Sequence, residues 1–281
     1  MPSFPVDNKY PAVATPCHGD SKPVLSLFDL TGKTALVTGG NGGIGGGIAR
    51  GLAEAGADII IFQVPGETSD FAATLAAETG RRVDVYECDL LQPAMIRETV
   101  SQVLDEDKDG HVVDILCNCA GISGGFVPIL DETDAHREQV VQIHFHAVYS
   151  LSALLGEHFA KRGRGGKIIN VSSLTAHRAM TRFSVYGPIK AAVSQLTTSL
   201  ANELAVYHVQ VNTLTPGWIH TPLSQKTVDN PERSREIVAS IPAGRWGRPN
   251  DFKGVAVFLA SAASDYISGA EIFVDGGTHG M

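Results

Sequence analysis

Three residues that could pass a proton among themselves stand in the stretch SLTAHRAMTRFSVYGPIK, positions 173–190: Ser173, Tyr186 and Lys190. Tyr186 and Lys190 are four apart, and positions i and i+4 share one face of a helix. A free phenol, with a pKa of ~10, is a poor acid–base group at neutral pH. A fixed ammonium beside it favours the phenolate and lowers that pKa. The Ser173 hydroxyl can donate to a carbonyl oxygen or accept from an alcohol. Together the three make a proton relay for interconverting an alcohol and a ketone, and such a relay needs a hydride acceptor from elsewhere. A Tyr and a Lys at this spacing also arise by chance on ordinary amphipathic helices, so the weight falls on the rest of the chain.

Upstream the chain reads as strand, glycine-rich turn and helix. Residues 34–38 (TALVT) are a short β-branched and apolar run, a buried strand by length and composition. GGNGGIGGGIARGLAEAG follows, with Ile44, Ile48 and Leu52 recurring at helical spacing, and residues 57–62 (ADIIIF) form a second apolar run. In such a βαβ unit, glycines let the backbone approach a pyrophosphate at the helix N-terminus. A glycine motif alone is weak evidence, but this one sits in the strand and helix context that it requires.

The alternation continues. Helices are expected over 67–79, 93–104, 134–161, 186–207 and 251–262, and strands over 82–88, 112–117, 167–171, 209–214 and 271–274. Ser184 is the expected N-cap of the helix carrying Tyr186, with Pro188 in its first turn, where a missing N–H costs little. Seven strands alternating with helices predict an α/β fold with a doubly wound parallel sheet, a Rossmann fold with helices on both faces. Residues 27–281 are expected to form a single dinucleotide-binding catalytic domain. Residues 222–247, with Pro222, Pro231 and Pro242, look like a mobile helical lid over the strand ends.

A chain of 281 residues that is 43% hydrophobic can bury a large core. Its net charge of −8 argues against nucleic acid or an anionic membrane as partner. Cys117 and Cys119 are two apart in an apolar run, so a strand turns them to opposite faces, unsuited to a disulfide with each other. With Cys17 and Cys88 they read as reduced thiols of a cytoplasmic protein, and no metal site is expected. The proline-containing stretch 1–26 lacks an apolar signal segment and reads as a tail that is flexible or packs on a neighbouring subunit.

With the glycine turn TGxxxGxG, the NCAG segment at 118–121 and the serine ahead of YxxxK in this order, the chain resembles the short-chain dehydrogenase/reductase family from about Leu30 to Gly277. The resemblance implies that Gly39, Asn41, Gly43, Ile44 and Gly45 lie against a cofactor pyrophosphate. Asp89 and Leu90 would hold the adenine, and Asn118, Ala120 and Gly121 would pass along the ribose. Tyr186 becomes the general acid in reduction and the base in oxidation. Lys190 bonds the nicotinamide ribose and lowers the Tyr186 pKa, and Ser173 polarises the substrate oxygen. Pro216, Gly217, Ile219 and Thr221 would hold the nicotinamide amide. Family members are commonly tetramers, which implies a homotetramer.

Two departures bear on that transfer. Cys119 stands where the family usually has a second Asn, and His144 stands where an Asn on the long helix joins Lys to a water chain. His144 either passes protons itself, as a group titrating near neutral pH can, or is a bystander. Gln63 falls where NAD-preferring members carry an acid, and neither Gly40, Asn41 nor Val64 supplies a cation for a 2′-phosphate, although Arg81 or Arg82 lies near in sequence. NAD is therefore favoured over NADP. IPAGRWG, GRR and FLASAASDYISG resemble the sugar-acid branch, such as the 2-dehydro-3-deoxygluconate and 2-deoxygluconate dehydrogenases. The first reading is an oxidoreductase acting on a secondary alcohol or ketone, a small molecule of the sugar or sugar-acid class. Trp218, Trp246 and Phe183 suit a second, a ketoreductase for a hydrophobic carbonyl. A third, a catalytically silent dinucleotide-binding protein, is disfavoured by the presence of Ser173, Tyr186 and Lys190 together.

Overall fold

The computed structural model describes residues 9–12, 23–105, 111–122 and 126–281. In chain order the elements are β1 (Thr34–Thr38), α1 (Gly43–Glu54), β2 (Asp58–Gln63), α2 (Phe71–Thr79), β3 (Val83–Glu87), α3 (Pro93–Leu104) and β4 (Ile115–Asn118). After β4 come α4 (Asp134–Val141), α5 (Ala147–Arg162), β5 (Gly166–Val171), α6 (Tyr186–Leu204) and β6 (Val209–Pro216). The chain closes with α7 (Gln225–Val228), α8 (Pro231–Ala239), α9 (Lys253–Ala260) and β7 (Glu271–Val274). The strands form one parallel sheet in the order β3-β2-β1-β4-β5-β6-β7, the doubly wound arrangement that the alternation predicts.

Helices cover both faces of the sheet, which is why β1, β2 and β4 read as apolar runs. Val37, Ile59 and Ile61 pack with Ile48 and Leu52 of α1 and Leu259 of α9. Leu36 and Ile60 point the other way, against Val100 of α3 and Leu151 and Leu155 of α5. Strand order reverses between β1 and β4, and at such a switch point the crevice beyond the carboxyl ends of the strands takes ligands.

The boundaries differ from expectation where tertiary contacts intervene. The helix expected from 67 starts at Phe71, because residues ahead of it form a loop pinned by Gly66 N donating to Glu87 Oε1 at 2.8 Å. The strand expected over 112–117 is Ile115–Asn118; Asp114 ahead of it is occupied by Arg162 and by the Thr34 N–H. The helix expected over 134–161 is broken by one π-helical turn, Gln142–His146. Val185, with no side-chain cap, precedes α6, so Ser184 is not its N-cap; Gly187 N instead donates to Phe183 O at 3.0 Å. The ends of α6 and the start of α9 tighten into 3-10 turns, Ala205–Tyr207 and Pro249–Phe252.

Part of the N-terminal tail packs on its own chain. Lys9 and Tyr10 both donate to Glu157 Oε1 of α5, at 2.6 and 2.7 Å, and the Tyr10 ring meets Tyr207 edge-on. Val24–Phe28 forms a 3-10 turn whose Phe28 reaches Phe258 of α9. Cys17 lies outside the described residues, and Cys88, Cys117 and Cys119 are free thiols.

Candidate active site

The carboxyl ends of β1, β2, β4, β5 and β6 surround a cleft of about 580 Å³. Its floor is the turn into α1. Gly39 and Gly43 adopt φ of 64° and 51°, and a Cβ on Gly45 would stand 2.2 Å from the Gly39 carbonyl oxygen. A side chain there would push α1 away from the turn whose backbone N–H groups open toward the cleft. Asn41 Nδ2 is buried in the same turn with no partner among the described residues, a donor left over for a phosphate oxygen. The turn thus fits a dinucleotide pyrophosphate.

Opposite the turn, the buried Thr38 hydroxyl accepts from Cys119 N and Ala120 N, both at 3.0 Å, and so fixes the backbone after β4. Cys119, Ala120 and Gly121 line the cleft together with Gly39, Asn41, Gly43, Ile44, Gly45, Gln63, Asp89, Leu90, Pro216, Gly217, Ile219 and Thr221. Asn118 does not. Its amide turns into the core, where Nδ2 donates to Asn170 Oδ1 at 2.8 Å and Ser152 Oγ at 3.1 Å. Asn170 in turn donates to Thr197 of α6, so Asn118 ties the helices to the sheet instead of passing along the ribose with its side chain.

At the end of β2, Gln63 Nε2 donates to Glu67 O at 2.8 Å, which brings Glu67 to the cleft wall. Arg81 and Arg82 are far from this point. They pair with Asp58 and Asp84, and Asp58 opens β2 while Gln63 ends it, roughly 16 Å away along the strand.

Ser173, Tyr186 and Lys190 converge where β5 runs out. Lys190 Nζ, 5% exposed, donates to the Val171 carbonyl at 2.8 Å and lies 5.6 Å from the centre of the Tyr186 ring. Burial pushes the Lys190 ammonium down to about 8. Burial also pushes the Tyr186 phenol up to about 12, with the Ser173 hydrogen bond pulling the other way. Burial is thus the largest influence on this phenol, and it favours the neutral, proton-donating form. Ser172, the neighbour of Ser173, has a structural task. Its hydroxyl donates to Lys190 O at 3.0 Å and meets Ser194 at 2.9 Å.

Thr175 is a residue that sequence reasoning missed. Its N–H and its hydroxyl both donate to Ser173 Oγ, at 3.2 and 2.9 Å. A serine oxygen has two acceptor sites and one proton. With both acceptor sites filled by Thr175, the Ser173 proton is free only to donate, toward the phenol or a carbonyl oxygen. A hydroxyl residue two places after a serine at a strand end was the available signal.

His144 occupies the π-helical turn, 2% exposed, with its ring edge-on to that of Tyr186 at 5.1 Å and 90°. Its Nε2 lies 3.1 Å from Ile122 O, a Cβ on Gly121 would meet its ring at 2.6 Å, and Nδ1 is buried without a partner among the described residues. Burial first, and then Lys190, push its pKa down to about 3, so the ring stays neutral across the working range. Ile122, Phe126, Met180, Phe183, Trp218 and Leu223 give the wall an apolar stretch, and Thr175, Ser224 and Thr227 add hydroxyl-bearing residues to the lining. Trp246 lies outside it and donates to Ser234 Oγ at 2.9 Å. Among the described residues no cluster of His, Cys, Asp or Glu could hold a metal ion.

Residues 39–279 match the protein-family model described as enoyl-(acyl carrier protein) reductase. The chain is 40% identical over 252 residues to a 2-dehydro-3-deoxy-D-gluconate 5-dehydrogenase of Bacillus subtilis, covering 89% of this chain and 96% of the relative. It is 32% identical to a 5-keto-D-gluconate 5-reductase of Escherichia coli, covering 89% of this chain and 97% of that one. Among solved structures, a gluconate 5-dehydrogenase of Burkholderia cenocepacia in complex with NADP and tartrate superposes with a TM-score of 0.84 at 35% identity, covering 92% of this chain and all of that one.

Two outcomes follow from the geometry. Because His144 is neutral when folded and charges near 6.5 when unfolded, the unfolded chain binds the extra proton between about 3 and 6.5. The melting temperature should therefore fall as pH drops below about 6.5, less steeply in His144→Asn, and the activity profile should carry no inflection from His144. Thr175→Val removes one of the two bonds that orient Ser173. It should lower kcat roughly three- to tenfold with little change in KM, the scale of one hydrogen bond.

Proposed function

Since this chain belongs to the short-chain dehydrogenase/reductase family, we propose that it is a nicotinamide-dependent oxidoreductase interconverting a secondary alcohol and a ketone of a sugar or sugar acid. The observation that carries the reading is the meeting of Ser173, Tyr186 and Lys190 at the mouth of a cleft floored by the glycine turn. The sugar-acid relatives support the substrate class. A second reading, a hydrophobic carbonyl substrate, is favoured by the aromatic wall of Phe126, Phe183 and Trp218.

When bound, a nicotinamide dinucleotide supplies or accepts the hydride. Gly39, Asn41, Gly43, Ile44 and Gly45 would hold its pyrophosphate, Asp89 and Leu90 its adenine, and Pro216, Gly217, Ile219 and Thr221 its nicotinamide amide. In reduction Ser173 donates a hydrogen bond to the carbonyl oxygen, and Tyr186 delivers the proton. Burial keeps the phenol protonated for that direction, and oxidation draws on the same group as base. His144, its ring neutral, holds the Tyr186 ring and the Ile122 backbone in place, with its Nε2–H facing the Ile122 carbonyl.

NAD is the preferred cofactor in this reading, because Gln63 and Glu67 suit a ribose diol and, among the described residues lining that end of the cleft, none is a cation for a 2′-phosphate. Residues 222–247 act as the lid, with Pro222, Leu223, Ser224 and Thr227 already on the cleft wall. The free thiols suit a reducing, cytoplasmic setting. The half-buried edge strand β7 suits a homotetramer built on that edge.

Tyr186→Phe should abolish turnover in a nicotinamide absorbance assay and keep dinucleotide affinity, whereas Lys190→Ala should damage both; near-native rates in Tyr186→Phe would remove the assigned acid. The wild type should use NAD at least roughly tenfold better than NADP. Val64→Arg, at an exposed position on the cleft wall, should erode that preference by supplying the missing cation.

A further inference from the structure

We infer that Glu271, the first residue of β7, is a positioning residue for the reaction. Its carboxylate sets how Ser173, Lys190 and the end of β6 stand relative to one another. The inference rests on the oxidoreductase reading above. Glu271 does not line the cleft. Its Oε1 is instead the meeting point of three donors: His177 Nε2 at 2.8 Å, Ser194 Oγ at 3.2 Å and the Thr215 hydroxyl. A carboxylate only accepts, so the imidazole turns an N–H toward it.

Each donor belongs to a different segment of the site. His177 closes the 3-10 turn Leu174–Ala176, in which Thr175 holds Ser173. Its ring is also fixed from behind: Phe273 meets it edge-on at 5.1 Å, and His279, stacked on Phe273, lies 5.3 Å away. Ser194 follows Lys190 by one turn of α6. It stands between Glu271 and Ser172, and Ser172, 2.9 Å from it, donates to Lys190 O. Thr215 is fully buried and directly precedes Pro216 and Gly217 on the cleft wall. One carboxylate thus joins the serine turn, the lysine helix and the strand end assigned to the nicotinamide amide.

Without that acceptor the buried Thr215 hydroxyl is left unpaired, which costs more than the bond itself is worth. The three segments must then shift to find other partners. Ser173 and Tyr186 act on one substrate oxygen, and hydride transfer is sensitive to small displacements of the groups around it. The pyrophosphate turn between β1 and α1 lies elsewhere and keeps its own contacts. Loss of Glu271 should therefore slow the reaction and spare dinucleotide binding. A glutamine keeps an acceptor oxygen at the same reach and removes the charge, so it should restore the geometry.

The test compares Glu271→Leu and Glu271→Gln with the native full-length chain. Three quantities are read: kcat with 5-keto-D-gluconate by nicotinamide absorbance, dinucleotide Kd by tryptophan fluorescence, and the fluorine resonance of a ring-fluorinated tyrosine at position 186. Glu271→Leu should lower kcat roughly tenfold or more, keep Kd within about twofold and move the resonance. Glu271→Gln should recover most of the rate and return the resonance. Should Glu271→Leu not fold, Ser194→Ala and Thr215→Val remove the donors singly. Each should then lower kcat about threefold or more, and their combined loss should depart from additivity, as for residues sharing one partner. A folded Glu271→Leu with a lower Tm but native kcat and resonance would overturn the inference, as would single-donor variants at native kcat. If the native chain does not turn over 5-keto-D-gluconate, the sugar-acid reading falls, and the fluorine resonance still decides whether Glu271 sets the position of Tyr186.

Discussion

The bond from the Lys190 ammonium to the Val171 carbonyl is the contact on which the site's geometry turns. It joins the third residue after Gly187 in α6 to the last residue of β5. Ser173 sits two residues beyond that strand end, and Tyr186 opens the helix. One buried charge-assisted hydrogen bond, of the kind worth about 1.5–3 kcal/mol, therefore registers all three polar groups against each other. Ser172 reinforces the joint from behind, through Lys190 O and Ser194. Asn118, Asn170 and Thr197 form a second tie, one layer deeper, between β4, β5 and α6.

Burial, more than pairing, sets the electrostatics. The phenol rises to about 12, the ammonium falls to about 8 and the imidazole to about 3, so each group is moved toward its neutral form. Cys119, pushed up to about 12 by the same burial, stays a thiol. A site arranged this way holds the proton on its acid and keeps the His144 ring neutral, while Lys190 remains an ammonium below about 8. Its two carboxylates, Glu67 and Asp89, lie at the β2 and β3 end, and its aromatic residues Phe126, Phe183 and Trp218 lie on the Tyr186 side.

Much of this was legible from order and spacing. The glycine turn, the strand runs and the Tyr186–Lys190 interval are local features, and local backbone physics places them on elements without further help. The parallel sheet followed because apolar runs and helical stretches alternate, and the comparisons agree with that fold. What failed was anything decided across the chain. The phenol's pKa depends on how much of the fold covers it. The inward turn of Asn118 depends on Ser152 and Asn170, 34 and 52 residues away. The π-helical turn that delivers His144 has no marker in a helical pattern, since it adds a residue to a stretch that stays amphipathic throughout. Thr175 and Glu67 were passed over because each serves another residue, Ser173 and the β2 end, and its meaning appears only beside that residue.

The claim on which the account stands is that the proton reaching the substrate oxygen comes from the Tyr186 hydroxyl. The most direct test replaces Tyr186 alone with a ring-fluorinated tyrosine, which keeps the hydroxyl and the packing and makes the phenol more acidic. The pH profile of single-turnover hydride transfer is then compared with that of the native chain. The account predicts that the inflection of the profile moves to lower pH along with the phenol's pKa. A profile that stays where it was, with the rate unchanged, would contradict it.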